Sequence, residues 1–95
     1  MTTQQTTTPL SLGQVVATQG ARQLLDENRM TGVPILKRHA SGDWGHICAA
    51  DAKLNDDAVK NGGRVLSIYK VGDESIWVIT EADRSSTCIL LPSDY

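Results

Sequence analysis

The sequence predicts an α+β domain, with about three N-terminal helices packed on a C-terminal antiparallel β-meander. Three observations carry this. Apolar residues recur at helical spacing up to Gly63, and after Gly63 the period falls to two. Glycine, proline and small polar residues also mark the joins between the segments. Helices followed by a run of strands make an α+β domain, with the helices on one sheet face.

The elements follow in order. Residues 2–8 (TTQQTTT) are low in complexity and hold nothing to bury, so residues 1–9 are expected to form a disordered tail, with a single domain over residues 10–95. Leu10, Leu12, Val15 and Val16 suit a short extended segment or docking arm. Thr18 is a good N-cap for a helix over about residues 19–28, with Leu24 and Leu25 inward and Gln23, Asp26 and Glu27 outward. Thr31 is expected to cap a second helix, with Pro34 in its first turn, Val33, Ile35 and Leu36 as its apolar face, and Lys37 and Arg38 near its C-terminal end. A third helix is expected from about 49 to 61, with Asp51 in its first turn, Leu54, Ala58 and Val59 on one face, and Gly62-Gly63 to end it. Strands are then expected over 64–69, 75–80 and 87–91, with a Gly72-Asp73 turn and a stop at Pro92.

Ninety-five residues with 40% hydrophobic and 21% charged side chains fit one small globular domain. A net charge of −2 argues against nucleic-acid binding by bulk positive charge. The polar Met1–Pro9 stretch does not read as a secretory signal, and no run approaches the ~20 apolar residues of a membrane span. The expectation is a cytoplasmic domain without membrane attachment or cofactor. Cys48 and Cys88 are expected to be reduced and buried. Together with His39 and His46 they match no metal-ligand spacing, so no metal site is expected.

Two polar segments are candidate sites. The first is Arg38-His39-Ala40-Ser41-Gly42-Asp43-Trp44-Gly45. A histidine beside a glycine-flanked Asp-Trp pair suits proton transfer near neutrality. The competing reading is a turn in which Asp43 caps backbone N–H groups, Trp44 fills the core and His39 hydrogen-bonds locally. The second is the long connector Thr80-Glu81-Ala82-Asp83-Arg84-Ser85-Ser86-Thr87. There Arg84 has the fork geometry to hold a phosphate and Glu81 the chemistry of a base, with Ser85, Ser86 or Thr87 positioning a substrate. The competing reading is a wide turn in which Asp83 and Arg84 pair and hydroxyls satisfy the backbone. Convergence of His39, Glu81, Arg84 and Tyr69 on one sheet face would suffice for metal-free RNA cleavage.

The motifs RHxSGDWG and WVITEADRSST, the ending LLPSDY and the segment Leu12–Thr18 resemble a family of small bacterial proteins of plasmids and integrative elements. Some of its members carry the label of a type I restriction endonuclease subunit. The resemblance spans nearly all of residues 12–95. It implies an accessory of mobile elements, in defence or counter-defence, that binds a macromolecular partner, protein or nucleic acid. Asp43, Trp44, Tyr69, Asp83, Ser85 and Thr87 would be interface residues. The element order is also similar to the small nuclease fold of RelE-like toxins and barnase-like RNases, which implies the alternative of an RNase using His39, Glu81 and Arg84. This chain departs from the RelE-like pattern in lacking a strongly basic face. A homodimer is a third expectation, with Trp77 and the strand Thr87–Leu91 as an exposed edge suited to strand pairing.

Overall fold

The structure, a computed structural model, describes residues 10–95, so the tail expected over residues 1–9 lies outside the described residues. The chain runs β1 (Gln14–Ala17), α1 (Gln19–Glu27), α2 (Val33–Ala40), α3 (Ala49–Asn61), β2 (Val65–Val71), β3 (Glu74–Thr80) and β4 (Ser86–Leu90), and closes with a 3-10 turn over Pro92–Asp94. Strands β2, β3 and β4 form the expected antiparallel meander. The sheet is nonetheless mixed. Its order is β1-β4-β3-β2, because the segment before the first helix pairs in parallel with β4, Val16 beside Cys88.

That pairing corrects two expectations. The sheet is not a pure meander, and β4 is an interior strand rather than an exposed edge; the edges are β1 and β2. The pairing depends on Gly13, whose φ of +64° is left-handed and whose Cβ, were there one, would collide with the carbonyls of Arg84 and Ser85. Nothing local in Gln14–Ala17 points to residues 86–89 as its partner. The edge at β2 is closed by the chain itself: Ile68 donates to the Trp44 carbonyl at 3.1 Å, and its own carbonyl accepts from His46 at 2.7 Å. Gly45, at φ +76°, lies so close to Ile68 that any side chain would strike its carbonyl.

Strand alternation sorts the side chains onto two faces. Val65, Ser67, Tyr69 and Val71 of β2, Ile76, Val78 and Thr80 of β3, and Thr87 and Ile89 of β4 are buried on one face. Much of this face packs with Leu24 and Leu25 of α1 and Ile35 of α2 in the main core. A second, smaller core gathers Leu10, Trp44 and Val65, with Ala58 and Val59 of α3 against it.

Helix α1 begins as expected: Thr18 accepts from the Ala21 N–H at 3.2 Å and donates to Asp94 at 2.6 Å, which ties the helix to the C-terminal turn. Thr31 does not cap α2; the cap residue is Gly32, in right-handed helical conformation with no side-chain bond. In α3 the inward phase differs from the expected one. Leu54 is exposed, whereas Asn55 is buried and takes both backbone groups of Leu66, donating to its carbonyl at 2.7 Å and accepting from its N–H at 3.2 Å. Both cysteines are free thiols, but Cys48 is exposed and Cys88 only half-buried, so the expected burial does not hold.

Candidate functional site

His39 is in the last turn of α2, facing inward with no exposed surface. Its Nδ1 lies 2.6 Å from the Ser67 hydroxyl and its Nε2 2.8 Å from that of Thr80. Thr80 in turn lies 2.7 Å from the Thr87 hydroxyl, which donates to the Leu12 carbonyl at 2.7 Å. Each hydroxyl has one hydrogen, so the row has one direction. The hydrogen of Thr87 goes to the carbonyl, Thr80 therefore donates to Thr87, and the Thr80 lone pairs face His39. Nε2 must then carry the imidazole proton, and Nδ1 accepts from Ser67. Burial pushes the His39 pKa down to about 4. The ring is neutral, and both its nitrogens are bonded inside the core.

The Asp43 turn is a scaffold around this row. Asp43 pairs with Arg38 (Nε to Oδ2 2.7 Å, Nη2 to Oδ1 3.3 Å) and accepts from the Gly45 N–H at 3.2 Å. The hydrogen bond from Arg38 holds its carboxyl below the usual carboxylate range. The Asp43 carbonyl accepts from the Tyr69 hydroxyl at 2.7 Å. Burial raises the Tyr69 pKa to about 12, and the Arg38 guanidinium lies 4.6 Å from the centre of its ring. Trp44 is buried edge-on to His39, with centroids 5.7 Å apart, and its N–H donates to Asp56 at 3.0 Å.

The connector after β3 is also used internally. Arg84, at φ +62°, sends Nη1 to the carbonyls of Gly63 (2.5 Å) and Glu81 (3.1 Å), and Nη2 to that of Ala58 (2.8 Å). Its fork closes the C-terminal end of α3. Asp83 does not pair with Arg84; its carboxylate accepts from the Ser85 N–H at 2.9 Å, and hydrogen bonds from Ser85 lower its pKa. The Glu81 carboxylate lies 3.7 Å from Arg64. Alternation puts residues 64 and 81 on the face opposite Val65 and Thr80, so Glu81 and His39 are separated by the sheet. His39, Glu81 and Arg84 are thus held apart, each by its own partners. Among the described residues, no group of three His, Cys, Asp or Glu side chains could hold a metal ion.

Apolar features among the described residues are also open to solvent. On the face away from the helices, Leu66, Ile79 and Trp77 line a cleft of about 260 Å³ beneath Arg64 and Tyr95, the two aromatic rings 5.4 Å apart. At the sheet edge, a groove of about 570 Å³ follows β1, with Val15, Ala17, Leu25, Met30 and Ile89 in its lining and Arg22 and Asp26 beside them. Val15 and Val16 are 41% and 44% exposed, two of the five exposed large hydrophobic residues among the described residues. The extended segment expected around Val15 and Val16 is this strand, and two adjacent β-branched residues after a glycine are its local signal.

Comparison with family models, curated proteins and solved structures finds no match to this chain. Among the described residues, no helix is long and apolar enough to cross a membrane.

Proposed function

We propose that this protein is a non-enzymatic interaction module that binds a polypeptide by adding a strand to the free edge of β1. One observation carries the reading. The edge at β2 is bridged at Ile68 by Trp44–His46, whereas among the described residues β1 pairs only with β4 and has an apolar groove alongside. An unpaired edge offers backbone bonds to an extended segment, and the groove accepts its alternate side chains. The internal bonds of His39, Arg84, Asp43 and Tyr69 support the same reading, because they occupy both ring nitrogens of His39 and commit the others to partners within the fold. The setting, an accessory of mobile elements in defence or counter-defence, rests on the sequence resemblance.

The test is capture from host extract with wild type and Val15→Pro, followed by crosslinking to locate the contact. The Val15 N–H points away from β4, so proline there removes an outward donor and spares the internal ladder. Loss of capture by a folded Val15→Pro protein, with crosslinks at residues 14–26, is the expected outcome. Undiminished capture, or crosslinks confined to another face, would overturn the reading.

A further inference from the structure

We infer that the segment added to β1 is the β1 strand of a second copy, paired antiparallel about a two-fold axis through Val16. This rests on the proposed strand addition and names its partner. The direction of the backbone groups supplies the first argument. Gln14 donates to the Ser85 carbonyl and Thr18 to that of Ile89, so residues 14, 16 and 18 bond towards β4. Val15 and Ala17 therefore turn their N–H and C=O groups to the open side.

Two antiparallel β1 strands have one register that uses both outward residues. Val15 lies opposite Ala17 of the second copy and Ala17 opposite its Val15, each pair exchanging both backbone bonds. Val16 then meets its own symmetry mate in a non-hydrogen-bonded pair, where Cα atoms approach to ~4.5 Å. Centring the axis on Val15 instead pairs Val15 with itself and leaves the Ala17 groups without a strand partner. In the favoured register Val15 packs over the small Ala17 on the helix face. The two Val16 side chains, each 44% exposed in the single chain, cover each other on the opposite face.

Charge supplies the second argument. Arg22 and Asp26 are exposed on α1 beside this edge, and neither is in an ion pair among the described residues. A two-fold axis reverses their order in the second copy, so the arginine of each copy is set towards the aspartate of the other. Such a stripe favours its own antiparallel image over an edge of one sign.

The first test is sedimentation across a concentration series, with Val16→Lys as the variant. Wild type is expected to dimerise, and Val16→Lys, which sets like charges face to face at an exposed position, to remain a folded monomer. Arg22→Asp is expected to weaken the dimer, and Arg22→Asp with Asp26→Arg to restore it. The second test is Val16→Cys in a Cys48→Ser, Cys88→Ser background, since Cys88 otherwise lies beside residue 16 in the sheet. Oxidation is expected to give a disulfide-linked dimer far faster than Leu54→Cys on the exposed side of α3. A wild type that stays monomeric at every concentration, or crosslinking no faster at residue 16 than at 54, would overturn the inference. In either case, capture of another polypeptide that Val15→Pro abolishes would leave strand addition standing.

Discussion

The Nε2–H of His39, at the end of α2, donates to the Thr80 hydroxyl of β3 across 2.8 Å. That bond joins a helix to the sheet, and the row it belongs to reaches from Ser67 on β2 to Leu12 at the start of the domain. A neutral imidazole offers one acceptor and one donor on opposite sides of a rigid ring. It can therefore sit between two strand hydroxyls without leaving either ring nitrogen unpaired. Removing a member leaves a buried donor or acceptor without a partner, which costs more than the bond contributes.

The first prediction concerns acid. An unfolded chain protonates histidine near pH ~6.5, whereas the folded protein holds His39 at about 4. Between these values the unfolded state binds more protons, so stability present above pH ~6.5 is lost as pH falls towards 4. The slope is about 1.4 kcal/mol per pH unit, giving a loss of about 3 kcal/mol. Asp43 is also depressed, but its contribution is lost in a lower window, as pH falls from the ordinary carboxylate value through its own. Urea unfolding at several pH values between 4 and 7 should show the His39 slope in wild type and a smaller one in His39→Gln. Equal slopes would refute it.

The second prediction follows from the direction of the hydroxyl row. Nitrogen-15 shifts of the imidazole at neutral pH should report the Nε2–H tautomer. Thr87→Val removes both the donor to Leu12 and the acceptor for Thr80 and should cost about 2 kcal/mol in chemical denaturation. An Nδ1–H tautomer would contradict the derived direction.

Arg84 separates side-chain from backbone effects. Its φ of +62° is one that glycine adopts freely and alanine does not. Both Arg84→Ala and Arg84→Gly lose the bonds to Ala58, Gly63 and Glu81, but only alanine keeps the unfavourable backbone. Arg84→Gly should therefore be the more stable of the two by about 1 kcal/mol, and both should lie below wild type. Thermal unfolding of the three proteins decides it; Arg84→Ala at or above Arg84→Gly would show that the backbone carries no strain.

What the sequence made legible was local. The Thr18 cap, the change of period after Gly63 and the turn at Gly72-Asp73 are written within a few residues of where they act. The parallel pairing of β1 was not legible, because Val16 and Cys88 lie far apart in the sequence and nothing local joins them. The role of His39 was hidden for the same reason: its partners lie 28 and 41 residues away. Arg84 and Glu81 looked like a reactive pair because composition reveals which groups are present, not that carbonyls at the end of α3 already hold the guanidinium.

The last prediction concerns α3, where an apolar residue and a polar one exchange their usual places. Leu54 is 64% exposed, and Asn55 is buried at 6%. The Asn55 amide is selected because β2 presents the N–H and C=O of Leu66 to the helix, and a carboxamide satisfies both at once. Asn55→Leu, which looks favourable by hydrophobicity, should destabilise by about 2–3 kcal/mol, since it leaves two backbone groups unpaired. Leu54→Lys should change stability by less than about 0.5 kcal/mol, as exposed substitutions usually do. Unfolding curves for the two variants test the order: a stable Asn55→Leu protein would mean that water or a shifted helix serves Leu66 instead, and a costly Leu54→Lys would mean that Leu54 is covered in solution.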